Sequence, residues 1–277
     1  NRKIYTNYEK ENIMFFKLTS INDPRLNEYT QFNESQRYHS YEPEIGTFIA
    51  ESSKVIFRAL KSGYEPLSLL LSEEDKEKEK NLLVFFNHLP VYLLDENELL
   101  KMKGYGLIRG PLCLMRRKET ISSKTFKDYQ RIAVLDNIEN PSNIGSIFRN
   151  AAATGIDGLI IGKGCADPLY KRSIRVSMGT VFQIPFIYCD DYISLLHQFH
   201  YSTIALALKK DSIPIDSDIL KQDKLAIILG NEGEGLSDDI LNKCDYKAII
   251  PMYHHTDSLN VAAASAIAFW ELRNRRI

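Results

Sequence analysis

Residues 249–270 read IIPMYHHTDSLNVAAASAIAFW. Two isoleucines end a short apolar strand, Pro251 stops it, a polar loop follows, and a helix begins at Ser258, Leu259 and Asn260. A Ser/Asn pair at a helix start satisfies free backbone N–H groups, and the same place attracts anions and polar ligands. Residues 261–268 carry almost no side-chain bulk, so another backbone can approach closely along them. Taken alone, such a segment is more often a capped, alanine-rich core helix than a site.

The neighbouring stretch shifts that weighting. Residues 225–235, LAIILGNEGEG, are five apolar residues followed by three glycines in six positions, with Asn231 and two carboxylates interleaved. A buried parallel strand running into a glycine-rich turn is where open α/β sheets bind ligands, because glycine lets the backbone come near. No Lys-Ser/Thr pair follows, which excludes a Walker loop.

With 277 residues the chain can hold two domains of ordinary size, each with its own core. A formal net charge of −1 argues against gripping nucleic acid by bulk electrostatics, while leaving room for a local basic surface. Cys113, Cys165, Cys189 and Cys244 are widely spaced and match no zinc pattern, so buried free thiols in a reducing compartment are expected, and no metal site. No apolar run approaches membrane-span length and the N-terminus lacks a signal-peptide core, which points to the cytoplasm. The start at Asn1 in place of a methionine suits an incomplete or added end for the first dozen residues.

Residues 1–44 are polar, tyrosine-rich and weakly periodic, as in an N-terminal arm. Residues 45–117 read as a small α/β domain: a helix over 49–61, a strand over 67–71, a charged helix over 73–88, a strand over 91–94, a helix over 96–103 and a strand over 112–115. Residues 118–130 form a hydrophilic linker. From 131 to 277, strands are expected at 132–135, 158–161, 184–188, 203–208, 225–229 and 247–250. Helices are expected at 143–154, 192–201, 237–244 and 259–273. Strands alternating with helices mean a parallel sheet covered on both faces, with its loops gathered at the carboxyl ends of the strands.

The first of those loops leads into PSNIGSIFRNAAATG, in which Ile144, Ile147, Phe148 and Ala151 make an apolar helix face and Arg149 and Asn150 lie off it. An arginine beside a core stripe is usually a surface or salt-bridge residue. Its position after a strand-end loop, followed by small residues, raises the functional reading. The loop at 163–185 carries Lys171, Arg172 and Arg175, the best cluster in the chain for phosphate contacts.

The ordered set Asn143-x-Gly145-x-x-x-Arg149-Asn150, Arg175-x-Ser177-x-Gly179, Leu229-Gly230-Asn231-Glu232-x-x-Gly235 and Ile250-Pro251-Met252 with Ser258-Leu259-Asn260-Val261 resembles the SpoU (TrmH-like) family of the SPOUT superfamily of RNA 2′-O-ribose methyltransferases. The resemblance spans about residues 130 to 275, and the domain ahead of it is similar to the L30e-like substrate-binding domain that often precedes it. It implies an α/β parallel-sheet domain closed by a C-terminal trefoil knot, an arrangement general topology rules would not suggest. It further implies that Leu229, Gly230, Asn231, Gly235, Ile250, Met252 and Leu259 hold S-adenosylmethionine. Asn143, Arg149, Glu232, Ser258 and Asn260 would line the reaction site, and the working unit would be a homodimer whose sites borrow from both chains. The family often has glycine where His254 stands, a departure that bears on the conformation of that loop.

On this resemblance the chain is expected to methylate ribose 2′-hydroxyls of structured RNA, ribosomal before transfer RNA. Because a guanidinium stays protonated, Arg149 suits clamping a phosphate and stabilising developing alkoxide better than removing a proton, and Glu232 suits orienting it. A rival from the binding class is an L30e-like RNA-binding protein with an inactive methyltransferase domain. A nucleotide-dependent oxidoreductase is a third reading, and it lacks the Gly-x-Gly-x-x-Gly turn after its first strand.

Overall fold

The computed structural model describes residues 13–30, 46–102, 110–231, 233–254 and 257–273. The chain divides into two compact units between Lys118 and Glu119.

The first unit is built on a five-stranded sheet of β1 (Met14–Lys17), β2 (Thr47–Glu51), β3 (Pro66–Ser72), β4 (Pro90–Leu94) and β5 (Leu112–Arg116), in the order β1-β4-β3-β5-β2. β4 runs parallel to β1 and β3, whereas β5 is antiparallel to β2 and β3. Successive side chains along a strand point to opposite faces, so Ile49, Leu70 and Leu114 share one face of the sheet and meet Leu18, Leu26 and Tyr29 in one core. The last three lie where an arm was expected. Residues 14–17 are instead an edge strand, because Phe16 can pack on Tyr92 while its backbone pairs with β4.

Two helices expected here are shorter. Residues 49–51 belong to β2, and helix α1 covers Ser53–Lys61 alone, since pairing with β5 outweighs the helical spacing of the apolar residues. The charged run 73–88 is mostly turns, helical only at Lys80–Leu83 and, as a 3₁₀ turn, at Val84–Phe86. Its side chains take over local hydrogen bonding: Ser72 Oγ accepts from the Asp75 N–H, and Lys78 pairs with Asp75 at 2.7 Å. A short helix, α2, covers Glu96–Leu100.

The second unit is an α/β fold on an all-parallel seven-stranded sheet. Its strands are β6 (Arg131–Leu135), β7 (Gly158–Ile161), β8 (Phe186–Tyr188), β9 (Ser202–Leu206), β10 (Ile213–Pro214), β11 (Leu225–Leu229) and β12 (Tyr246–Ile249), ordered β10-β12-β9-β11-β6-β7-β8. β6 and β11 are buried along their whole length, which explains their unbroken apolar runs. The chain steps outward from β6 through β7 to β8 and then returns to β9. The place between β9 and β6 is left for β11. That reversal opens a crevice at the carboxyl ends of the strands.

Helices α3 (Pro141–Thr154), α4 (Lys171–Val176), α5 (Tyr192–Gln198), α6 (Asp238–Lys243) and α7 (Val261–Glu271) cover the sheet. Asn140 caps α3 by accepting from the Ser142 N–H, Pro141 opens its first turn, and Gly155 at φ +79° ends it. Helix α4 and strand β10 lie in segments read from sequence as loop. β10 is only two residues long and ends in an edge-strand proline, so it carries little periodic signal.

Gly145 marks the crossing of α3 with α4. A Cβ there would lie 2.4 Å from the Ser173 carbonyl oxygen and 3.0 Å from Val176 Cβ. Arg131 fixes the other end of the unit: its buried guanidinium donates to the carbonyls of Leu272 (2.8 Å), Asp223 (2.5 Å), Gln222 (2.6 Å) and Gln130 (3.1 Å). Gly145→Ala should therefore destabilise the protein by about 1–3 kcal/mol through overpacking. Its thermal midpoint should fall by several degrees in calorimetry, and an unchanged midpoint would mean the two helices can separate freely.

Candidate functional site

A cleft of about 450 Å³ opens at the carboxyl ends of β9, β11 and β12. That volume falls in the range of small-molecule sites. Leu229, Gly230, Asn231, Gly235, Ile250, Met252 and Leu259 all line it, as does Ser258. Three segments separated by up to 30 residues thus form one wall system, because parallel strands deliver their exits to the same edge.

The glycine turn serves its own loop first. A Cβ on Gly230 would come within 2.8 Å of the Gly235 carbonyl carbon and the Leu236 nitrogen, so the residue permits the turn to fold back on itself. Gly235 holds φ +72°, a left-handed geometry that glycine adopts without strain, and its N–H donates to the Asn231 carbonyl at 3.0 Å. Asn231 organises the rest: its Oδ1 accepts from the Gly233 N–H (2.7 Å) and its Nδ2 donates to the Asn137 carbonyl (3.0 Å). The side chain of Asn231 is therefore a loop staple in the wall of the cleft.

Behind the cleft, α7 is pinned against α3. Asn260 caps α7, accepting from the Ala262 N–H at 3.0 Å, while its Nδ2 donates to Asn143 Oδ1 at 3.2 Å. Further along, Asn150 Nδ2 donates to the Ala262 carbonyl (2.8 Å) and to Ser265 Oγ (2.9 Å). These contacts need the small residues of α7, as their lack of bulk suggested. Asn143 is buried, whereas Arg149, six residues later on the same helix, is exposed and its side chain makes no hydrogen bond or ion pair among the described residues. Arg149, Asn143 and Asn260 are not among the residues lining the cleft. Glu232 lies outside the described residues. His254 adopts φ +55°, the left-handed conformation for which glycine would be the unstrained choice.

Of the basic residues, Arg172 donates from Nε to Ser142 Oγ at 2.8 Å, at the start of α3. Arg175 is exposed one turn on, and Lys171 is half-buried. They border the α3 entrance and stand apart from the cleft wall. Cys113 is buried, but Cys165, Cys189 and Cys244 are only partly so, a correction to the expectation of four buried thiols. Burial nevertheless pushes all four upward, Cys165 and Cys244 to about 11, so they are protonated at neutral pH and poor nucleophiles. Among the described residues no helix is long and apolar enough to cross a membrane, and no group of His, Cys, Asp and Glu is arranged to hold a metal.

Sequence reasoning missed one wall of the cleft, residues 206–209 at the exit of β9, together with Glu234, Asp257, Val261 and Ala264. The exit of β9 carries no glycine motif, and only the strand order, which places β9 between β11 and β12, brings it to the site.

Because Asn260 both caps α7 and reaches Asn143, its two roles can be separated. Asn260→Ala should cost about 1–2 kcal/mol of stability, whereas Asn260→Ser, which keeps a capping oxygen, should cost less than half as much. Equal losses in chemical denaturation would mean the Asn143 contact, not the cap, holds the helix start.

Residues 130–270 match the model of the SpoU rRNA methylase family. An uncharacterized tRNA/rRNA methyltransferase of Mycobacterium bovis is 32% identical over 90% of this chain and 88% of its own length. The 23S rRNA (guanosine(2553)-2′-O)-methyltransferase RlmP of Bacillus subtilis is 26% identical over 83% of this chain and 90% of its own. In fold, the chain resembles an AdoMet-bound rRNA methyltransferase of Sinorhizobium meliloti, with a TM-score of 0.82, 22% identity, and 95% and 99% of the two chains covered. By the family-model match and the 32% identical relative, this chain belongs to the SpoU rRNA methylase family.

Proposed function

We propose that the protein transfers a methyl group from S-adenosylmethionine to a ribose 2′-hydroxyl of structured RNA, ribosomal RNA before transfer RNA. The observation that carries this reading is the convergence of Leu229, Gly230, Gly235, Ile250, Met252 and Leu259 on one cleft of about 450 Å³, within the stretch matched by the family model. Apolar Ile250, Met252 and Leu259 suit an adenine ring, and the main chain of the glycine turn can approach a ligand closely. The donor, bound there, supplies an activated methyl on a sulfonium.

The residues of the chain then have positioning work to do. Asn143 and Asn260, joined at 3.2 Å, hold the start of α7, and with it Ser258, beside the cleft. Arg149, exposed and unengaged, clamps a phosphate flanking the target ribose and stabilises the alkoxide as it forms. The hydroxyl proton passes to the flanking phosphate or to another group beside it, while Glu232 orients the arginine. Lys171, Arg172 and Arg175 add phosphate contacts around α3.

Arg149 is absent from the cleft wall of its own chain, which favours a homodimer in which one chain's Arg149 serves the partner's cleft. Ile267 and Trp270, 40% and 58% exposed at helical spacing on α7, suit a face covered by a second copy. We further read the C-terminal segment as closing a trefoil knot, residues 45–117 as an L30e-like RNA-binding domain, 118–130 as the linker between domains, and the cytoplasm as the place of action. Ribosomal RNA is favoured by the 23S rRNA activity named for the B. subtilis relative. The M. bovis relative is named for transfer and ribosomal RNA alike, so both substrates belong in the assay.

Arg149→Ala should leave binding of S-adenosylhomocysteine within about twofold while lowering methyl incorporation into RNA by about a hundredfold or more. Equal loss of binding and transfer would remove Arg149 from the chemistry. Retained transfer would leave the phosphate clamp without support.

A further inference from the structure

The wall of the cleft that the family motifs do not account for is the turn leaving β9. It is a built feature. The Ala207 N–H donates to the Ala248 carbonyl at 3.0 Å, Ser212 Oγ donates to the Ala207 carbonyl at 2.8 Å, and the Ser212 N–H closes on the Lys209 carbonyl at 3.1 Å. Asp211 anchors the same turn to β12 through Lys247 at 2.7 Å. Held by these contacts, Lys209 lines the cleft, with its Nζ 2.9 Å from Asp238 Oδ1 at the start of α6.

Among the described residues lining the cleft, Lys209 is the only cation, facing a wall that otherwise carries Glu234 and Asp257. That charge pattern distinguishes the two ends of an amino-acid group: the acids suit an ammonium and a sulfonium, and the lysine suits a carboxylate. Its present partner does not oppose this, because the side chain of Asp238 is 81% exposed and that of Lys209 46%, so their ion pair is weak and exchangeable.

We propose that Lys209 is a donor-binding residue that reads the α-carboxylate of the methionine moiety of S-adenosylmethionine, exchanging Asp238 for the ligand. This rests on the methyltransferase reading of the cleft and adds to it the residue that tells an amino-acid-bearing nucleoside from one without. Asp238 serves as the resting partner that keeps the ammonium at the cleft edge.

The test is calorimetry on the full chain with two ligands, S-adenosylhomocysteine and 5′-methylthioadenosine, which share the thioadenosine but differ in the amino-acid group. Wild type should prefer S-adenosylhomocysteine. Lys209→Met should weaken that ligand by roughly tenfold while leaving 5′-methylthioadenosine within about twofold, and Lys209→Arg should recover most of the loss. Asp238→Asn, which frees the lysine without touching the cleft wall, should leave S-adenosylhomocysteine binding unchanged or tighter. Parallel loss of both ligands in Lys209→Met would make the lysine a support for cleft shape, and no loss of either would remove it from the site; both overturn the proposal. Failure of the wild type to bind either ligand would instead overturn the methyltransferase reading on which it rests.

Discussion

The last helix of the chain is held at three points, and the cleft exists because of them. Asn260 ties its start to Asn143, Asn150 bridges its first turns through Ala262 and Ser265, and Arg131 takes the Leu272 carbonyl at its far end. Between β12 and this fixed helix, Ile250, Met252, Asp257, Ser258 and Leu259 close over the strand exits. A bulky residue at Ala262 or Ser265 would separate the helices, and the loop would lose its anchor. The small side chains of α7 are thus a structural demand that precedes any ligand.

The parallel sheet supplies the second half of the arrangement. With β11 inserted between β9 and β6, the exits of β9, β11 and β12 lie side by side, and their three loops face one another across a ligand-sized space. Each loop is stiffened internally before it meets a ligand: by Asn231 and Gly235 after β11, by Ser212 after β9, and by the Asn260 cap after β12. Stiff walls lower the ordering cost of binding. The exposed Arg149 lies on the helix that anchors this assembly, outside the wall itself.

Much of this was legible in the sequence, and the gaps have physical causes. Strands β6, β7 and β11 announced themselves because burial on both faces demands continuous apolar runs. Helix α3 did so because Asn140, Pro141 and Gly155 bracket its apolar stripe. The segment 49–61 misled only at its start: Val55, Ile56, Ala59 and Leu60 do sit at helical spacing in α1, whereas the pairing of β2 with β5 claims residues 49–51. The role of Gly230 was legible as a close approach, yet what approaches is the backbone of Gly235 and Leu236 within the same turn. Lys209 was not legible at all. Nothing local distinguishes it from its neighbour Lys210, and its place in the cleft follows from strand order, a property of the whole sheet.

We propose that the loops leaving β9, β11 and β12, with the first turn of α7, enclose the methyl donor. Amide hydrogen exchange with and without saturating S-adenosylhomocysteine tests it most directly. The account predicts added protection confined to residues 206–212, 229–236 and 249–264. Protection centred on other strand exits, or none at concentrations where the ligand is bound, would contradict it.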